Sequence, residues 1–118
     1  MCNKIFVYGT LKRDGGAYRL MQEAGAKFLS STQTVPEFTM YQGGFPMVKE
    51  GGHTAIKGEL FEFEALEDII GVDRYEGHPE LFERKVVQLD KNTQAWMYIF
   101  KRRVEYATLV ADGTYHNH

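Results

Sequence analysis

The apolar positions of this chain change period several times, and each change marks an element. Ile5-Phe6-Val7-Tyr8 is a short unbroken apolar run, which predicts a buried strand over Lys4–Tyr8 that breaks at Gly9. After a polar stretch, Ala17–Glu23 reads as a short helix with Leu20, Met21 and Ala24 on one face, and Gly25 fits its stop. Lys27–Val35 alternates in part, with Phe28, Ser30, Thr32 and Thr34 on one side, up to Pro36. Phe38–Gln42 and Met47–Lys49 read as strands around Gly43-Gly44-Phe45-Pro46, a turn by composition.

Ala55–Phe63 alternates along its length, with apolar and polar residues on both faces. Glu64–Tyr75 then takes a helical period: Leu66, Ile69, Ile70 and Asp73 lie at i, i+3, i+4 and i+7, and the segment stops by Gly77-His78-Pro79. Phe82–Leu89 and Gln94–Phe100 form a hairpin around Asp90-Lys91-Asn92-Thr93. Beyond it Val104, Tyr106, Thr108 and Val110 alternate as an edge strand would, and Asp112–His118 reads as a loose end. Many strands, two helices and an aromatic content of 14% predict an α+β fold, a small mixed and partly closed β-barrel with flanking helices. The mouth of such a barrel is a natural small-molecule site.

At 118 residues the chain is expected to form a single domain with one core and no need of covalent staples. A net charge of −2 leaves no basic footprint for nucleic acid or acidic lipid. The single cysteine, Cys2, excludes an internal disulfide and a cysteine-based zinc site. No run reaches membrane-spanning length and no signal-peptide pattern is present. The expectation is a cytoplasmic protein with no nucleic-acid or membrane partner, and no feature of the chain sets its oligomeric state.

The chemistry is concentrated at two places. Where the first strand ends, the turn through Tyr8, Gly9, Thr10 and Leu11 has backbone N–H groups free to meet an oxygen. Farther on, the stripe of Ile69 and Val72 extends to Glu76, which puts a carboxylate on the inward face at the last turn of a helix. The negative end of the helix dipole and partial burial both favour its protonated form, and a raised pKa suits a group that takes and returns a proton near neutrality. The plainer alternatives are a solvated Glu76 or one paired with Arg74 or Arg84. Asp73 either shares a face with Glu76 or holds an arginine. Thr10 has no histidine placed to activate it. The four histidines show no metal-ligand spacing, and Gly9 fits neither the P-loop nor the dinucleotide fingerprint.

Taken in order, Phe6-Val7-Tyr8-Gly9-Thr10-Leu11-Lys12, Gly44-Phe45-Pro46, Ile56-Lys57-Gly58-Glu59-Leu60-Phe61, Asp73-Arg74-Tyr75-Glu76-Gly77 and Phe82-Glu83-Arg84 resemble the gamma-glutamylcyclotransferase-like superfamily, over roughly residues 4 to 100. The short chain is most similar to its gamma-glutamylamine cyclotransferase branch. The resemblance implies a small mixed barrel with a cavity at one end and a cofactor-free activity. A gamma-glutamyl substrate would cyclise to 5-oxoproline and release a free amine or amino acid. It places the acid–base glutamate at Glu76 and the substrate-holding loop at Tyr8, Gly9, Thr10 and Leu11, with Gly44, Phe45 and Pro46 as further binding residues. In some members that loop holds the substrate's α-carboxylate rather than the oxyanion. Phe82 departs from the pattern, standing where tyrosine is common, and the segment after Phe100 carries no motif of the resemblance. A reading of a different class uses the same cavity to hold a small metabolite without turnover, and an inward acid of raised pKa argues against it.

Overall fold

A computed structural model describes residues 2–89 and 92–117. The order is β1 (Lys4–Val7), α1 (Tyr18–Glu23), β2 (Lys27–Gln33), β3 (Phe38–Gln42), β4 (Pro46–Glu50), β5 (Lys57–Glu62), α2 (Ile70–Glu76), β6 (Phe82–Gln88), β7 (Gln94–Phe100) and β8 (Thr108–Leu109). A 3-10 turn over Leu66–Ile69 leads into α2. Of the polar turn expected between β6 and β7, Asp90 and Lys91 lie outside the described residues.

β1 is central because its side chains are apolar on both faces. Ile5 and Val7 enter one cluster with Met21, Phe61, Phe63 and Val72, while Phe6 and Tyr8 enter a second with Met40, Val48, Leu60 and Met97. The five-stranded sheet β2-β5-β1-β7-β6 carries a core on each side; β1 runs antiparallel to β5 and parallel to β7. A separate three-stranded sheet, β4-β3-β8, covers the second cluster. The architecture is thus a mixed α+β fold, but the sheets do not close. Among the described residues the edge strands β2 and β6 meet just beyond their ends, through the Thr34–Leu89 bridge and the Val35 N–H to Gln88 carbonyl bond of 3.2 Å, and the two sheets pack together without closing into the expected barrel. A short period-2 pattern fixes which face a residue takes, not whether the last strand meets the first.

The helix before the site starts out of phase with its sequence pattern. The 3-10 turn eclipses residues three apart, so Ile69 and Val72 are buried while Ile70 is 50% exposed. Gly77 ends α2 in the left-handed region, φ 69°, where a glycine carries no Cβ penalty.

The C-terminal segment is not loose. The Lys57 N–H donates to the Gly113 carbonyl at 2.9 Å, and the Lys12 ammonium donates to the Tyr115 carbonyl at 2.7 Å. Asn117 donates to the Gly9 carbonyl at 3.1 Å and to the Asp14 carboxylate at 3.0 Å. These contacts run mostly through backbone groups, which no side-chain pattern announces. Among the described residues no helix is long and apolar enough to cross a membrane.

Candidate active site

The end of β1, the β3–β4 turn, the last turn of α2 and the neighbouring parts of β6 and β7 surround a cavity of about 290 Å³. Tyr8, Gly9, Thr10 and Leu11 line it from one side, Phe45 and Pro46 come from the turn, and Tyr75 and Glu76 come from the helix. Phe6, Val7, Leu81, Phe82 and Tyr98 complete the wall. Of the residues that the resemblance assigns to the site, only Gly44 stays outside the lining; it forms the turn, at φ 88°, that delivers Phe45 and Pro46.

Gly9 is required by a close approach, and the partner is within the protein. A Cβ added there would lie 2.7 Å from Cγ of Pro46, so the first strand and the β3–β4 turn touch across a position that only hydrogen fills. Past it, the N–H groups of Gly9, Thr10 and Leu11 have no acceptor among the described residues, although the loop is shaped by its carbonyls. Gly9 C=O accepts from Lys12 N–H at 3.1 Å, and Thr10 C=O from Ala17 N–H at 3.0 Å. Three successive donors thus border the cavity with no partner of their own, an arrangement that suits a carboxylate or an oxyanion. The Thr10 hydroxyl shares a hydrogen bond of 3.0 Å with the Tyr75 hydroxyl. Lys12 is outside the lining, its ammonium engaged by Tyr115.

Glu76 is the one charged side chain of the lining. Burial pushes its pKa from 4.5 up to about 7. No side chain or backbone donor among the described residues forms a hydrogen bond with its carboxylate. Of its two alternative partners, Arg74 forms no ion pair with it among the described residues, and Arg84 is committed elsewhere: its guanidinium forks onto Asp73, Nε to Oδ1 at 2.8 Å and Nη2 to Oδ2 at 3.0 Å. Asp73 also accepts from the Tyr98 hydroxyl at 2.7 Å, and Arg84 lies 4.4 Å from the centre of the Trp96 ring. Asp73 is therefore the arginine holder of the two readings, not the second carboxylate of a pair.

Two phenols flank the acid. Burial, and then the charge of Glu76, raise the Tyr8 pKa far above its usual range. The Tyr98 pKa is raised as well, by burial first and by its bond to Asp73 next. Tyr8 donates to the Tyr98 carbonyl at 2.7 Å. Both hydroxyls are thereby spent on internal acceptors, and neither has a proton poised for transfer. Sequence reasoning passed over Tyr98 and Leu81; Tyr98 lies in a regular apolar strand and is distinguished only by its partners.

The cavity thus carries a half-buried acid with no hydrogen-bond partner among the described residues, together with free backbone donors. The chain belongs to the gamma-glutamyl cyclotransferase, AIG2-like family, whose model matches residues 5–117. The match takes in the C-terminal segment that carries no recognisable motif. A Vibrio cholerae protein, named provisionally as a gamma-glutamylcyclotransferase, is 27% identical over 114 residues, 96% of this chain and 95% of its own. In fold, the chain resembles the crystal structure of a mouse AIG2-like protein with a TM-score of 0.83 and 23% identity, covering 97% of this chain and 88% of that one. The same fold also appears within Kluyveromyces lactis allophanate hydrolase, with a TM-score of 0.73 and 16% identity, over 93% of this chain but 19% of that one. A fold shared with a stretch of a larger hydrolase does not itself fix an activity.

Proposed function

We propose that the protein is a cofactor-independent gamma-glutamyl cyclotransferase in which Glu76 is the general acid and base. The observation that carries this reading is the unpaired Glu76 carboxyl, with a pKa of about 7, on the same cavity as the three free N–H groups of Gly9, Thr10 and Leu11. The substrate supplies its own nucleophile, so none is needed from the chain. Folding the glutamyl arm brings its α-amine against its γ-carbonyl, replacing a bimolecular encounter with an intramolecular one.

The steps balance on one carboxyl group. The α-nitrogen bonds to the carbon of the γ-carbonyl while Glu76 takes a proton from that nitrogen, and the loop N–H groups hold the oxyanion that forms. Glu76 then returns the proton to the amide nitrogen, the carbon–nitrogen bond breaks, and 5-oxoproline and a free amine are released. A pKa near 7 makes both transfers accessible in one turnover. The other use of the loop, holding the substrate's α-carboxylate instead of the oxyanion, draws on the same donors.

The test is 5-oxoproline release from a panel of gamma-glutamyl amides. Glu76→Gln keeps the shape and removes the proton carrier, and its expected cost is about 10²–10⁴-fold in kcat. Retention of a ligand with no turnover across the panel would replace the enzyme with a binding protein that uses the same cavity.

A further inference from the structure

The rest of the cavity wall is carbon. Besides Glu76 and the hydroxyls of Tyr8, Thr10, Tyr75 and Tyr98, its side chains are apolar, and no lysine, arginine or histidine lines it among the described residues. Phe82 is buried and Phe45 is 36% exposed. Their ring centres are 6.1 Å apart at 59°. Behind them Phe100 packs at 5.2 Å from Phe82 and 5.9 Å from Phe45, near edge to face in both cases. Phe45 and Phe82 line the cavity, and Phe100, outside the lining, packs against both.

Resting on the cyclotransferase reading above, we infer that the leaving group is an uncharged amine with an aromatic or bulky apolar substituent, bound against Phe45 and Phe82, and not an amino acid. The proton return requires the leaving nitrogen to touch Glu76. In a gamma-glutamyl amino acid the next carbon bears a carboxylate, which would stand beside the Glu76 carboxyl with no cation on the wall to offset it. Like charges at short range raise the cost of ionising either group, and a carboxylate stripped of water without a partner is strongly disfavoured. An amine without that carboxylate escapes both terms. Its substituent meets the Phe45–Phe82 surface, where a ring adds edge contacts to buried apolar area. Packing on Phe82 and Phe100 holds Phe45 in place before the substrate arrives, so little ordering is needed on binding.

Three substrates separate the two arguments: gamma-glutamyl-phenethylamide, gamma-glutamyl-ethylamide and gamma-glutamyl-phenylalanine. The first and second differ by the ring, the first and third by one carboxylate. Expected kcat/KM is highest for the phenethylamide, by roughly 10–100-fold over the ethylamide and by about tenfold or more over the phenylalanine conjugate. Phe45→Ala narrows the ring preference about tenfold, mainly through KM, and Phe45→Leu, which keeps an apolar side chain of similar reach, recovers part of it. A phenylalanine conjugate or an ethylamide that turns over as well as the phenethylamide overturns this assignment and leaves the cyclotransferase standing. No 5-oxoproline from any of the three, with Glu76→Gln as the blank, overturns both.

Discussion

Arg84 grips Asp73 through two parallel hydrogen bonds, 2.8 and 3.0 Å long, one helical turn before Glu76. The pair sets the electrostatics of the site by what it withholds. Arg84, Asp73 and Glu76 all act on the Tyr98 hydroxyl, so the guanidinium is within range of the cavity. Bound to Asp73, it leaves Glu76 with burial as the governing influence on its proton.

Asp73→Asn tests that division. The side chains of the pair retain 12% and 17% exposure, so the expected loss of stability is about 3 kcal/mol, the low end for breaking a buried pair, read from the urea midpoint. The freed guanidinium also favours the Glu76 carboxylate, so the acid limb of activity is expected at lower pH than in the native protein. A purely structural Asp73 would reduce stability and leave that limb where it was.

Glu76 itself makes stability fall with pH. Its carboxyl keeps a proton to about pH 7 when folded, against 4.5 when exposed. At pH 4 both states are protonated and the group contributes nothing. Between about 4.5 and 7 the unfolded chain ionises first and binds fewer protons than the native one, so unfolding becomes easier as pH rises. Above 7 the full penalty applies, roughly 3 kcal/mol at 1.4 kcal/mol per pKa unit. Glu76→Gln is therefore expected to match the native protein in thermal midpoint at pH 4 and to exceed it at pH 8. A variant equally stable at both would show that the folded carboxyl ionises normally.

The activity profile follows from the same titration. The first proton transfer needs the carboxylate, so kcat/KM, which reports the free enzyme, is expected to rise with pH through an apparent pKa near 7, a limb missing from the residual activity of Glu76→Gln. The free substrate amine titrates in the same profile, and its limb is retained in the variant, which separates the two.

How much of this was legible in the chain differs by residue. The β1 run and its Gly9 break stand out because five adjacent side chains from Ile5 to Gly9 state both the burial and the turn. Glu76 is legible because Ile69, Val72 and Glu76 keep a helical spacing, which also survives the 3-10 start that pushed Ile70 outward. That Asp73 holds an arginine was among the readings of the sequence, but Arg84 was offered there to Glu76; Asp73 and Arg84 stand 11 positions apart, and only the fold brings them together. The raised pKa of Glu76 was expected from dipole and burial together, and burial is the cause found. Open sheets and an anchored C-terminal segment depend on contacts between residues far apart in the chain, for which side-chain periodicity holds no record.

The anchoring of that segment gives a prediction of its own. Asn117 donates to Gly9 C=O and to Asp14, bracing the loop that lines the cavity. Asn117→Ala removes both bonds, which at about 1 kcal/mol each leaves the fold intact and loosens the loop. The expected outcome is a KM several-fold higher with kcat less affected, together with faster amide exchange at Gly9–Leu11. Unchanged exchange would show that the loop holds its shape without Asn117.

The contact between Gly9 and Pro46 supports a sharper experiment, because it predicts a rescue. Gly9→Ala puts a methyl 2.7 Å from Cγ of Pro46. Strand and turn must part, at an expected cost of about 1–3 kcal/mol and with loss of activity as the loop moves relative to Glu76. Pro46→Ala removes the ring atom that the new methyl strikes. In the double variant the methyl has room, so the two effects are expected to be non-additive, with the pair less damaged than the sum of the singles by about 1 kcal/mol or more. Additive losses in the denaturation midpoints would mean that Gly9 is required for some other reason than the approach of the β3–β4 turn.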